Sequence, residues 1–145
     1  MKSRTKARSL ALQVLYEFDM TGHEPGATFA ERLDDEPMDD SLASFSRQIV
    51  YGIIPIVGKL DQIIAEHAPE WPMDQVAVID RNILRIALWE FAVENCTPIK
   101  VAINEAIELS KLYGSDSTPR FVNGVLGSLA DQQDAIHQKL ISSSV

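Results

Sequence analysis

Four cations stand at alternate positions at the start of the chain, Lys2, Arg4, Lys6 and Arg8, with no acid among the first eight residues. Long, charged side chains at this spacing suit phosphate oxygens, and a short run of them is the footprint of an arm that touches nucleic acid locally. A basic N-terminus that only aids solubility has the same composition. A second group lies far along the chain, in Tyr113-Gly114-Ser115-Asp116-Ser117-Thr118-Pro119-Arg120-Phe121. Two aromatics, a guanidinium and several hydroxyls in one loop can stack on unpaired bases and bond to their edges. The alternative is that Tyr113 and Phe121 plug the end of a helical bundle.

Catalytic and metal chemistry have no comparable footing. His23, His67 and His137 are far apart and none lies in a His-Glu-x-x-His setting. Cys96 is the single cysteine, so no intramolecular disulfide or cysteine zinc cluster is expected. It ends an apolar segment and reads as a small buried hydrophobe. Gly124-Val125-Leu126-Gly127 sits in a helical pattern and reads as close helix packing rather than a phosphate cradle. Asn104 and Asn123 are amides in apolar helical segments, predicted to be buried and tied to neighbouring backbone. Glu105 and Glu108 read as a solvated helix face. No catalytic residue, metal or cofactor is expected.

The charge balance narrows the class further. The chain has 145 residues, 46% hydrophobic, with a net charge of −8. That length suits one domain with a substantial core. Beyond the first eight residues, nine basic side chains (thirteen in all, less the four at the start) face 21 acids, a balance of −12. From Glu17 to Asp40 nine acids stand against Arg32 alone. So acidic a body argues against coating nucleic acid or anionic membrane with the whole surface. There is no run of 18 apolar residues and no secretory leader, so a cytoplasmic protein without a membrane partner is expected.

The elements that position these groups are helical. Ala7, Leu10, Ala11, Val14, Leu15 and Phe18 recur on one helix face, with Ser3 or Thr5 as candidate caps. A short helix is predicted over 27–33, and a longer one from Asp40 or Ser41, broken at Gly52-Ile53-Ile54-Pro55-Ile56-Val57-Gly58 and resuming to His67. After a rigid turn at Pro69-Glu70-Trp71-Pro72 come a turn or two over 73–78 and a strong helix over 80–95. The centre of that helix is apolar almost all round, so it belongs in the middle of a bundle. Thr97-Pro98 and Thr118-Pro119 read as N-cap followed by proline at the first helical position, starting helices to Tyr113 and to about Asp134. No segment alternates with period two. The fold class predicted is all-α, about seven helices in two packed antiparallel bundles. One domain over 1–145 would hold subdomains of about 1–68 and 69–137, a basic arm at 1–8 and a frayed tail at 138–145.

Three segments, in order, resemble the NusB family of bacterial transcription antitermination factors. They are Arg4-x-Lys6-Ala7-Arg8-x-x-Ala11-x-Gln13-x-Leu15-Tyr16, then Asp80-Arg81-Asn82-Ile83-Leu84-Arg85-Ile86-Ala87-Leu88-Trp89-Glu90, then Lys100-Val-Ala-Ile-Asn-Glu-Ala-Ile-Glu-Leu-Ser-Lys with Phe121-Val-Asn-Gly-Val-Leu. The resemblance implies a non-enzymatic protein that binds single-stranded boxA-type RNA together with the ribosomal protein NusE. It would join RNA polymerase indirectly, with other Nus factors, in support of ribosomal RNA transcription. It further implies RNA contacts from Lys2, Arg4, Lys6, Arg8, Tyr16, Tyr113, Asp116, Ser117, Arg120 and Phe121, with Asp80 and Arg81 at the NusE surface. A homodimer in the absence of RNA is also expected. The rival readings are a helical adaptor that does not bind RNA, and a module like the N-terminal domain of ribosomal RNA methyltransferases. Four arm charges, each neutralising one phosphate of a single strand, would give a log–log salt slope of roughly −3.

Overall fold

The computed structural model describes residues 2–69 and 71–142, and among these the chain is all-α. Eight α-helices follow in order: α1 (Ser3–Thr21), α2 (Pro25–Asp35), α3 (Asp40–Ile53), α4 (Val57–Glu66), α5 (Val78–Leu88), α6 (Ile99–Tyr113), α7 (Thr118–Ala130) and α8 (Gln133–Ser142). Glu70 of the predicted turn and residues 143–145 of the predicted tail fall outside the described residues; the first part of that tail, 138–142, is not frayed but belongs to α8, with Leu140 buried.

The stripe read from the sequence is the buried face of α1, where Ala7, Leu10, Ala11, Val14 and Leu15 pack chiefly on α3 and α5. The helix ends at Gly22, whose φ of 75° lets its N–H bond to the Phe18 carbonyl at 2.9 Å. Its start differs from expectation. Lys2 is the N-cap, with no side-chain cap bond, and Thr5 Oγ1 instead donates to Glu105 Oε2 on α6 at 2.8 Å. Helix α2 begins two residues before its predicted start, because the Glu24 carboxylate accepts from the Gly26 and Ala27 amides and Pro25 has no N–H that needs an acceptor. Asp39, not Asp40 or Ser41, is the N-cap of α3.

Pro55 interrupts the next rod as predicted, replacing α-geometry with a 3-10 turn at Ile54–Ile56. Counted through that turn, Asp40–Glu66 is one helical run of 27 residues, apolar enough in composition to cross a membrane. Here its inward side chains, including Ile49, Val50, Ile53, Leu60, Ile63 and Ile64, belong to the common core. Gly52 is fixed by contact: a Cβ there would overlap the Trp89 indole.

Helix α5 is the middle of the molecule. Every residue from Asn82 to Ala92 is buried, and α5 packs on both α1 and α6. After Leu88 the helix widens into a π-turn, Trp89–Val93, and the chain reverses through Asn95 at φ 54°. The two Thr-Pro steps start helices, yet neither threonine caps one. Thr97 Oγ1 donates to Glu90 Oε1 at 2.8 Å, and Thr118 Oγ1 donates to Asp80 Oδ1 at 3.0 Å. Each hydroxyl thus joins its helix start to an acid of the α5 rod. The last predicted helix is two, since the pattern breaks at Asp131-Gln132 between α7 and α8. The segment 73–77 holds only a 3-10 turn, Met73–Gln75, and Val78 already begins α5, two residues before its predicted start.

Candidate nucleic-acid interface

The four leading cations separate into two sets. Ser3–Thr21 is helical, so positions 4 and 8 share one side and 2 and 6 another. Lys2, Arg4 and Lys6 are exposed. Arg4 lays its guanidinium over the Phe45 ring at 4.3 Å from the centroid, a cation–π contact that leaves the residue exposed. Arg8 does not face solvent. It is 2% exposed, with Nε and Nη2 donating to the two Glu90 carboxylate oxygens at 2.8 and 2.7 Å and Nη1 lying 3.6 Å from Glu105. Burial alone would lower the Arg8 pKa, but the neighbouring acids, Glu90 first and then Glu105, together hold it above the ordinary value. The expected phosphate contact at position 8 is corrected to an internal strut between α1 and the π-turn.

Along α1 the stripe Lys2, Lys6, Ser9, Gln13, Tyr16 continues the exposed cations towards the middle of the helix. Tyr113, at the end of α6, meets this stripe: its hydroxyl is hydrogen-bonded to Ser9 Oγ and accepts from Gln13 Nε2 at 3.0 Å. Gln13 Oε1 in turn accepts from Arg32 Nη1 of α2 at 2.6 Å. The arrangement brings the basic helix start and the first aromatic of the distant loop onto one face. Tyr113 is 37% exposed and Tyr16 38% exposed, so both rings can be reached from solvent.

Two clefts flank this ridge. One, of about 760 Å³, has Lys6, Ser9, Gln13 and Tyr113 on one wall and Asp35, Glu36 and Asp39 among its other lining residues. The second, of about 820 Å³, runs between the α1 start and α6, lined by Lys2, Thr5, Asn104, Glu105, Glu108 and Lys111 among others. The cations are therefore bordered by acids on both sides, which weakens their attraction for a polyanion.

The loop after Tyr113 is held rather than loose. Ser115 N–H donates to Thr118 Oγ1 at 3.0 Å, and that hydroxyl in turn donates to Asp80 Oδ1. A Cβ at Gly114 would come within 2.5 Å of the Thr118 side chain. Asp116, Ser117 and Arg120 are exposed. Phe121 is half-buried against the core and meets Trp71 edge-on, with centroids 6.0 Å apart. Asp80 thus works inside the molecule as the anchor of this loop, and burial raises its pKa despite the Thr118 bond. Arg81 Nη2 donates to the Val76 carbonyl at 3.0 Å.

Several other expectations are corrected. Asn104 and Asn123 are exposed, because the inward faces of α6 and α7 are set by Ala102, Ala106 and Leu109 and by Val122, Val125 and Leu126. Asn104 instead adds a solvent-facing amide to the second cleft. Gly124 and Gly127 approach nothing closely. Cys96 is exposed, since the chain has already turned outward at Asn95. Among residues the sequence did not single out, Trp71 is 53% exposed beside Phe121, and Arg85 is a second buried guanidinium, bonded to Asp61, Asp19 and Asn82. A tryptophan between two prolines was the available signal for the first.

A chain named transcription antitermination protein NusB from Roseiflexus sp. (strain RS-1) is 46% identical over 131 residues, covering 89% of this chain and 92% of the relative. Its namesake from Bacillus pumilus (strain SAFR-032) is 40% identical over 129 residues, with 89% and 95% covered. Among solved structures, T. maritima NusB superposes with a TM-score of 0.78 at 30% identity, covering 93% of this chain and 90% of that one. A structure of the antitermination factors NusB and NusE in complex with dsRNA gives 0.78 at 26% identity, with 96% and 98% covered. The model of the NusB family matches residues 5–131, and the chain belongs to that family.

Proposed function

We propose that the protein is a transcription antitermination factor that binds single-stranded boxA-type RNA together with NusE, in support of ribosomal RNA transcription. It acts in the cytoplasm by binding, not by catalysis, and reaches RNA polymerase indirectly through other Nus factors. The observation that carries this reading is the pair of exposed cations Lys2 and Lys6 leading along one face of α1 to Tyr113 and Tyr16, with exposed Arg4 beside them, on a chain otherwise at −12. Relatives carrying the antitermination name and a solved NusB–NusE–dsRNA complex of the same fold support it.

Charge sets the order of assembly. Asp35, Glu36, Asp39, Glu105 and Glu108 line the clefts on either side of the cations, so RNA held by this chain alone is held weakly. A basic partner would complement the acidic body and share the strand, making binding cooperative. Arg8's withdrawal into the interior favours the rival reading of an adaptor that does not bind RNA. Both are tested by a gel shift with boxA-type RNA, with and without NusE. The expected result is a weak shift alone, a strong one with NusE, and loss of the RNA shift with intact NusE binding when Lys2, Arg4 and Lys6 are all replaced by alanine. A complex with NusE that shifts no RNA would leave only the adaptor. Retained shift of double-stranded RNA in competition would assign the face to duplex rather than single strand.

A further inference from the structure

Gln13 makes no use of its amide within α1 beyond a bond to Ser9 at 3.3 Å; its other contacts reach two different helices. Its Nε2 donates to the Tyr113 hydroxyl of α6, and its Oε1 accepts from Arg32 of α2. An amide has two donors and one acceptor in a fixed plane, so holding Oε1 towards Arg32 aims Nε2 at Tyr113. Arg32 is itself constrained, with Nη2 3.5 Å from Glu17 Oε1. Tyr113 is the last residue of its helix and is followed by Gly114, a position where a side chain with no tether would sample several rotamers. The tether instead holds the phenol by its hydroxyl, at the lip of the cleft that also contains Lys6, and leaves the ring partly open to solvent.

We infer that Gln13, set by Arg32, is a positioning residue for RNA: it holds the Tyr113 ring ready to stack on an unpaired base beside Lys6, and does not itself contact the strand. The inference rests on the proposed RNA binding and adds to it the residue pair that orders the aromatic before the strand arrives. Ordering a side chain in advance removes that cost from binding, which corresponds to roughly three- to tenfold in affinity for one immobilised side chain. Because no phosphate contact is involved, the salt dependence of binding is unchanged when the tether is cut.

The test uses the full chain with NusE and a single-stranded boxA-type RNA carrying a fluorescent purine analogue whose emission falls on stacking. Gln13→Met keeps the length and removes the amide, Tyr113→Phe keeps the ring and removes the hydroxyl, and Tyr113→Ala removes the stack. Gln13→Met and Tyr113→Phe are each expected to weaken binding three- to tenfold, to reduce quenching, and to leave the salt slope at its wild-type value. The double variant is expected to be no weaker than Tyr113→Phe alone, which already removes the hydroxyl that Gln13 and Ser9 both bond, whereas Gln13→Met leaves the Ser9 bond in place. Arg32→Met is expected to reproduce a part of the Gln13→Met loss. Full wild-type affinity and quenching in Gln13→Met, or losses that add in the double variant, overturn the inference while leaving RNA binding intact. Wild-type affinity in Tyr113→Ala overturns it as well. Absence of RNA binding by the wild-type protein with NusE overturns both the inference and the reading beneath it.

Discussion

Arg8 and Glu90 form a two-pronged ion pair inside the protein, at 2.7 and 2.8 Å, with side chains 3% and 1% exposed. The pair joins the first helix to the π-turn that ends α5, and Thr97 completes it by donating to Glu90 Oε1. A charge shared in this way is stable only while its partner is present. Arg8→Ala or Glu90→Leu alone is expected to destabilise the fold by about 3–5 kcal/mol, read as a lower denaturant midpoint, because each leaves an unpaired buried charge. Replacing both, Arg8→Met with Glu90→Leu, is expected to recover most of that loss. A single replacement that is neutral would show that the pair is open to water.

Asp80 gives the opposite sign to the intuitive one. Its carboxyl accepts from Thr118, but burial dominates and raises its pKa. The folded protein therefore keeps this proton to higher pH than the unfolded chain, whose aspartates titrate near about 3.9. Between those two values stability falls as pH rises. Asp80→Asn keeps an acceptor for Thr118 and removes the burial penalty on a charge. It is expected to be more stable than the parent at neutral pH, with the difference vanishing in acid, as measured by thermal midpoints across pH. A loss of stability at neutral pH, or a gain that persists in acid, would contradict this.

Gly52 is required by volume. A methyl group at 52 would overlap the Trp89 ring, which is 4% exposed and has little room to move. Gly52→Ala is expected to cost about 1–3 kcal/mol by overpacking. Gly58→Ala, where nothing lies within 4 Å, is expected to be neutral or slightly stabilising. Equal midpoints for both variants would show that the contact between α3 and the π-turn yields.

Helix periodicity made most of the fold legible. The buried stripe of α1, the break at Pro55 and the all-round burial of α5 each follow from residues within a few positions of one another. What the sequence could not convey were pairings across long separations. Arg8 is 82 positions from Glu90 and looks, in sequence, like any other member of a basic run. Thr97 and Thr118 carry the local signature of helix caps, and only tertiary contact turns their hydroxyls towards Glu90 and Asp80. Asn104 misled for a different reason: α6 bears apolar side chains outward as well, Val101 and Leu112 being 44% and 51% exposed, so its inward face was ambiguous. For the candidate site, the leading cations and the Tyr113 loop were legible as residue types, but their meeting on one face through Ser9 and Gln13 was not.

Under the proposed function three exposed cations, Lys2, Arg4 and Lys6, and not the buried Arg8, grip the transcript. The direct measurement is the salt dependence of boxA-type RNA binding at a fixed, saturating NusE concentration, for the wild type and for the variant with Lys2, Arg4 and Lys6 all replaced by alanine. Each neutralised phosphate of a single strand contributes about −0.7 to the log–log slope, so the two proteins are expected to differ by about 2, with the wild type steeper. Identical slopes and affinities for the two proteins would contradict it.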